Sequence, residues 1–183
     1  GFDITIYPIN HPGCYNLLWQ HLDKVHTISN DLLKLAYKLG LPESVPVSRI
    51  TPAIDVQMFS KKKHLITELD LKLNFLTVAR LHWKKGLIYT LEAMSILKEK
   101  GYKFQYSIIG TGPQKEEIMF TLHQLNLENE VTLIGHKTPL EVKDFMDNNT
   151  YYLQYSISEG FCNAVLEAQA MGCLCVVSDA EGL

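Results

Sequence analysis

Between residues 73 and 177 short apolar runs alternate with stretches of helical periodicity, and no other feature constrains the fold as much. Leu73–Val78, Phe104–Ile109, Glu130–Ile134, Tyr151–Ile157 and Cys173–Val177 read as buried strands. The segment from Leu87 to Lys98 places Leu87, Leu91, Met94 and Leu97 on one helical face, and the next uses Ile118, Leu122 and Leu125. Thr138-Pro139-Leu140-Glu141 has the form of a capping box with proline at the first helical position. It opens a helix whose inner residues are expected to be Leu140, Phe145 and Met146. Asn163–Met171 reads as the last helix, and Gly172 is placed to end it in a left-handed conformation. Strands that alternate with helices of this length imply an α/β fold, a Rossmann-like parallel sheet with helices on both faces.

The first sixty residues are less regular. Ile4–Ile9 is apolar and β-branched enough for a short strand, limited by Pro8, and a helix is expected around Tyr15–Leu22. Lys24–Ile28 reads as a strand. Ser29 then caps a helix with Leu32, Leu35, Ala36 and Leu39 inward, stopped by Gly40 and Pro42. Val45–Ile50 is a further short strand and Thr51–Asp55 a turn. A linker is expected near Val56–Asp70, which contains the basic run Lys61-Lys62-Lys63, read as solvated. The expected division is residues 1–57 for one domain end with its linker and 58–183 for the second domain.

The net charge of -3 supplies no basic excess for a nucleic-acid backbone. Cys14, Cys162, Cys173 and Cys175 contain no C-x-x-C pair and no zinc-ligand spacing, so reduced thiols in a cytoplasmic protein are expected. No signal peptide and no apolar run near the ~20 residues that span a bilayer is visible. His11, His21 and His26 read as structural or exposed.

In open parallel sheets, ligands bind at the carboxyl ends of the strands, and the chemically distinctive residues fall there. Arg80 follows the first strand of the series and Lys85 precedes its helix; two cations so placed suit a diphosphate, and two solvated loop cations are the even alternative from spacing alone. Spacing alone leaves Lys84 and Lys85 both open, and Lys85 directly precedes Gly86. Gly110-Thr111-Gly112 lets backbone come close to a ligand, and a simple turn fits it equally well. It lacks the third glycine of a dinucleotide turn and matches no P-loop. Gly135-His136-Lys137 follows the third strand. Glu159 to Glu167 spans a strand-to-helix turn. Its free N–H groups seat an anion, and its carboxylates accept from hydroxyls. A solvated loop and a helix-dipole partner are the plain alternatives for these glutamates. A ligand with phosphates and many hydroxyls, such as a nucleotide sugar, meets both demands.

Ser158-Glu159-Gly160-Phe161, Glu167 to Gly172, Cys173 to Asp179, Ala79-Arg80-Leu81 with Lys85-Gly86, and Gly110 to Pro113 occur in an order that resembles the family 4 (group 1) retaining glycosyltransferases of the GT-B fold. The resemblance covers about residues 24 to 183. It implies the end of an N-terminal, acceptor-side domain and most of a C-terminal donor-binding domain, incomplete at its C-terminus, as an internal piece of a larger enzyme inactive alone. The implied activity is transfer of a sugar from a UDP- or GDP-linked donor to an acceptor hydroxyl with retention, needing no metal and no cofactor. By resemblance Arg80, Lys85 and Glu159 are catalytic. Gly110, Gly112, His136, Lys137, Gly160, Phe161, Cys162, Asn163 and Glu167 bind the donor, with Glu167 on the ribose and the 135–137 loop near the base. The family often has a small residue at the position of Cys162, and Asn163 also departs from its pattern. The implied acceptor is a carbohydrate or lipid-linked species, at the inner membrane face in many relatives. A GT-B epimerase, a sugar phosphorylase or a non-catalytic nucleotide-binding relic are the other readings of the same architecture.

Overall fold

A computed structural model describes residues 4–60 and 73–180. The chain divides into two compact units, Gly1–Ala53 and Ile54–Glu181. The first unit ends ahead of the boundary expected at residue 57. Phe59, assigned by sequence to a linker, is buried in a core cluster of the second unit with Leu76 and Met146. Most of the expected linker, with its three lysines, lies outside the described residues.

The first unit contains α1 (Tyr7–Asn10), α2 (Asn16–Trp19), β1 (Val25–Thr27), α3 (Asn30–Lys38) and β2 (Val47–Arg49). β1 and β2 pair in parallel, with Val25 opposite Val47. Ser29 caps α3 as expected: its Oγ accepts from the Leu32 N–H at 3.2 Å. Trp19, Ala36 and Leu41 form the core, joined by Leu33 and Leu39, and the indole N–H of Trp19 donates to the Leu39 carbonyl at 2.8 Å. The strand expected at Ile4–Ile9 is absent. Residues 4–6 form a turn, and Pro8 sits in the first turn of α1. Proline there loses only an N–H that a helix start leaves unused, whereas in a strand it would remove a ladder donor. The helix expected over Tyr15–Leu22 shortens to α2.

The second unit follows the sequence pattern closely. Its elements are β3 (Leu73–Val78), a 3-10 turn (Trp83–Lys85), α4 (Leu87–Glu99), β4 (Phe104–Ile109), α5 (Lys115–Gln124), β5 (Val131–Gly135), α6 (Pro139–Asp147), β6 (Tyr151–Gln154), α7 (Asn163–Ala170) and β7 (Leu174–Val177). The five strands pair in parallel in the order β5-β4-β3-β6-β7. The chain builds outward from β3 through β4 to β5, then crosses back to lay β6 on the other side of β3. That reversal creates the crevice between β3 and β6 where such sheets take ligands.

Successive strand residues point to opposite faces, so Phe75 and Leu76 enter different cores. Phe75, Phe104, Tyr106, Ile108 and Leu153 pack with Leu87, Leu91 and Met94 of α4 and with Ile118 and Leu122 of α5. Leu76, Ile109 and Tyr152 pack with Val142 and Met146 of α6 and with Val165 and Ala168 of α7. The expectation for α6 fails at one residue. Leu140 is exposed, while Val142 and Met146 are buried. Residues three and four apart share a helical face, and Leu140 stands two before Val142, off that face. The capping box itself is present: Thr138 Oγ1 accepts from the Glu141 N–H at 3.4 Å, and Glu141 Oε2 accepts from the Thr138 N–H at 2.9 Å.

Among the described residues β7 is the end strand of the sheet, and Leu174, Val176 and Val177 are exposed there, where a buried strand was expected. Cys173, just before it, is buried, whereas Cys175 is only half-buried; all four cysteines are free thiols. No helix among the described residues is long and apolar enough to cross a membrane.

Candidate functional site

The carboxyl ends of β3, β4 and β5 and the start of α7 enclose a cavity of about 660 Å3. Its lining includes Arg80, Lys85, Gly110, Gly112, His136, Lys137, Phe161, Cys162 and Asn163, nine of the residues singled out in the sequence. Glu159, Gly160 and Glu167 are not part of that lining. The lining carries lysine and arginine cations and no carboxylate. Among the described residues, no group of three His, Cys, Asp or Glu side chains is arranged to hold a metal ion.

The two glycine positions owe their identity to neighbouring backbone. A Cβ on Gly110 would collide with the carbonyl oxygen of Ala79, and one on Gly112 with that of Leu81. Gly110 also has φ 142, which side chains resist. The approach is stitched by hydrogen bonds. Ala79 N–H donates to Ile109 O at 2.9 Å, Leu81 N–H to Thr111 O at 3.0 Å and Gln114 N–H to Leu81 O at 3.1 Å. The sequence left these glycines open between close approach by a ligand and a simple turn. They line the cavity, but the adjoining loop is what demands them.

That loop turns through the 3-10 turn, capped by the His82 ring, and delivers Lys85. The Lys85 ammonium forms an ion pair with Glu159 Oε2, and both side chains are largely buried, at 19% and 14% exposure. An ammonium has three N–H donors, so this pairing leaves others for the cavity that Lys85 lines. Arg80 is exposed, with no ion pair or hydrogen bond to a described residue. The spacing left Lys84 and Lys85 both open. Among them, Lys85 reaches the cavity, while the Lys84 ammonium lies 5.9 Å from the Trp83 ring centre.

Behind Glu159 runs a buried polar chain that the sequence reading passed over as part of an apolar strand. Ser156 Oγ donates to Glu159 Oε2 at 3.2 Å, and Gln154 Nε2 donates to Ser156 Oγ at 2.9 Å. Tyr152 Oη lies 3.4 Å from Gln154 Oε1 and 3.1 Å from the Val78 carbonyl, and accepts from the Val78 N–H at 3.3 Å. Gln154 and Ser156 are 1% and 2% exposed. A signal existed: polar residues inside a strand covered on both faces must find partners.

α7 starts at the cavity without a side-chain cap, and Asn163 and Ala164 line the cavity there. Unused N–H groups at such a start attract anions. Cys162 is packed in the core beside the cavity, and burial pushes its thiol above the ordinary pKa, which disfavours the thiolate. Lys137 pairs with Glu141 at 2.8 Å, and His136 is exposed at the rim. Glu167 lies further along α7. Its carboxyl is half-buried, and desolvation raises its pKa.

An open parallel sheet, helices on both faces, with a cation-lined cavity at its strand ends defines the class of protein: a doubly wound α/β domain. The chain belongs to the group 1 glycosyl transferases, whose family model matches residues 59–183. It is 34% identical over 183 residues to the putative colanic acid biosynthesis glycosyltransferase WcaL of Escherichia coli, covering 94% of this chain and 44% of that protein. It is 32% identical over 191 residues to the N,N'-diacetylbacillosaminyl-diphospho-undecaprenol alpha-1,3-N-acetylgalactosaminyltransferase of Campylobacter jejuni, covering 100% of this chain and 49% of that one. The chain thus spans less than half the length of these relatives. Among solved structures, Anabaena HepE in complex with UDP-glucose aligns with a TM-score of 0.78 at 18% identity, over 99% of this chain and 50% of that one. At that identity the likeness establishes the GT-B type of fold.

Proposed function

We propose that this chain is the donor-binding portion of a retaining, family 4 glycosyltransferase that moves a sugar from a UDP- or GDP-linked donor to an acceptor hydroxyl. One observation carries the reading: Arg80, Lys85 and the uncapped start of α7 converge on a cavity whose lining has no carboxylate. In this reading the donor diphosphate lies between Arg80 and Lys85, which stabilise the charge that builds on the departing phosphate. Glu159 and the Gly160–Asn163 backbone meet the sugar. Gly110, Gly112, His136 and Lys137 border the nucleotide, and Glu167 takes the ribose hydroxyls. No metal or cofactor enters; protein cations carry the leaving-group charge. The substrate in the name of the Campylobacter jejuni relative suggests a lipid-linked acceptor for the whole protein, met at the cytoplasmic face of a membrane.

Isothermal calorimetry with UDP, GDP and uridine tests this. The chain is expected to bind one of the two diphosphates and not to turn over. Losing a charge-assisted contact of about 1.5–3 kcal/mol, Arg80→Ala should weaken UDP roughly 10- to 100-fold and leave uridine unchanged. Glu167→Gln should weaken UDP and uridine alike, with a melting temperature unchanged or slightly raised, because burial already disfavours the Glu167 charge. A folded sample that takes up neither diphosphate at millimolar concentration would refute the reading.

A further inference from the structure

We propose that Gln154 and Ser156 are positioning residues. They form a one-way hydrogen-bond relay that supplies Glu159 with a fixed proton donor and thereby holds the Lys85 ammonium at the cavity.

The direction of the relay follows from what each group can give. An ionised carboxylate only accepts. Glu159 Oε2 lies within reach of both the Lys85 ammonium and Ser156 Oγ, so the single hydroxyl proton of Ser156 points at Glu159. With that proton committed, Ser156 Oγ accepts along its other approach, at 2.9 Å from Gln154 Nε2. The Gln154 amide is therefore oriented: its NH2 faces Ser156 and its carbonyl faces Tyr152. Tyr152 Oη accepts from the Val78 N–H and has its own proton free for the Val78 carbonyl or for Gln154. From Gln154 onward the protons all point one way, through Ser156 to Glu159. A second clamp fixes the relay in space. Ser156 N–H donates to Ser178 Oγ at 3.0 Å, and Ser178 Oγ donates back to the Ser156 carbonyl at 2.8 Å. The Ser156 backbone is tied to the residue that follows β7, so its hydroxyl cannot drift from the carboxylate.

The consequence rests on the donor-site reading. With Oε2 shared by Ser156 and Lys85, Glu159 keeps Oε1 as a pure acceptor for a sugar hydroxyl, and its orientation is set before the donor arrives. A group fixed in advance needs no reorganisation when its partner arrives. Buried, satisfied polar networks are also rigid, which suits a group that must meet one hydroxyl.

Two measurements test the relay on the intact chain with Ser156→Ala, Ser156→Thr and Gln154→Met. The first needs no ligand: the Lys85 ammonium resonance by low-temperature proton–nitrogen NMR, slow to exchange in the wild type because it is ion-paired and sheltered. Ser156→Ala should broaden it away, Gln154→Met should weaken it, and Ser156→Thr, which keeps the hydroxyl, should restore it. The second is calorimetry with UDP and UDP-glucose, or with GDP and GDP-mannose if the wild type prefers guanine. Ser156→Ala should weaken the nucleotide sugar about tenfold and the bare diphosphate less than threefold. A Lys85 signal that survives Ser156→Ala in a folded sample overturns the relay. So does an equal loss for diphosphate and nucleotide sugar, which marks a merely structural role. If the wild type binds no donor while the ammonium signal responds as described, the relay stands and the donor reading falls.

Discussion

On one side of the cavity the loops after β3 and β4 are locked backbone to backbone; on the other, the loop after β6 has one backbone bond to the β3 loop, Ile157 N–H to the Lys84 carbonyl at 2.7 Å, and its glutamate is held by side chains. Gly110 and Gly112 lie against the carbonyls of Ala79 and Leu81 with no room for a methyl group. Glu159 is held by the Lys85 ammonium and by Ser156, which Gln154 and Tyr152 back up in turn. The difference bears on how each wall fails. A backbone contact admits no intermediate geometry, so a substitution there breaks the loop or moves the strand. A chain of hydroxyls and an amide can lose one member and keep its fold with a misdirected carboxylate.

The largest expected effect breaks the backbone wall. Gly110→Ala must displace the Ala79 carbonyl at the end of a central strand, and strained backbone with steric overlap belongs to the mutations that cost more than about 4 kcal/mol. Circular dichroism melting should show a cooperative transition lost or lowered by well over ten degrees. A variant that melts like the wild type would mean that the loops part easily and that the contrast between the walls is false. The next effect probes the side-chain wall. Tyr152→Phe removes one hydroxyl that serves the Val78 backbone and Gln154, a loss of about 1–3 kcal/mol for buried groups left unpaired. Urea unfolding should shift its midpoint with an unchanged slope. A loss as severe as that of Gly110→Ala would show that both walls fail in the same manner.

The smallest effect lies at the β5–α6 loop, where Lys137 is tied to Glu141. The Lys137 ammonium first, then the Thr138 N–H and hydroxyl, hold the Glu141 carboxyl down to about 2 from its ordinary 4.5. A carboxyl with a lowered folded-state pKa adds stability above its unfolded value and loses it as pH falls through the folded one. Glu141→Gln should therefore lower the melting temperature slightly at neutral pH. The gap to the wild type should close as the pH falls from 4.5 towards 2. A gap that persists unchanged at pH 2 would assign the effect to helix propensity and not to charge.

The second unit was legible because strands covered on both faces read as continuous apolar runs and its helices keep a 3.6-residue period. Leu140 escaped because an apolar residue in the first turn of α6 looks inward unless its angular offset from Val142 is worked out. The exposure of β7 among the described residues was not legible because burial depends on a neighbour, which composition does not give. Ile4–Ile9 was misread where proline chemistry outweighs β-branched content. At the site, cations and glycines could be found by their position after strands. Gln154 and Ser156 could not be given a role, since a hydrogen-bond chain depends on distances that only folding sets. Glu167 kept its place on α7 yet stands outside the cavity lining, which helical spacing did not reveal.

The glycine pair has a corollary for redesign. Because Gly110 and Gly112 answer to two carbonyl oxygens of their own chain, neither position can be varied without moving that backbone. Latitude lies instead at His136 and Asn163, exposed residues whose side chains make no hydrogen bond to a described residue. A combinatorial library confined to those two codons would vary the mouth of the cavity over an unaltered scaffold.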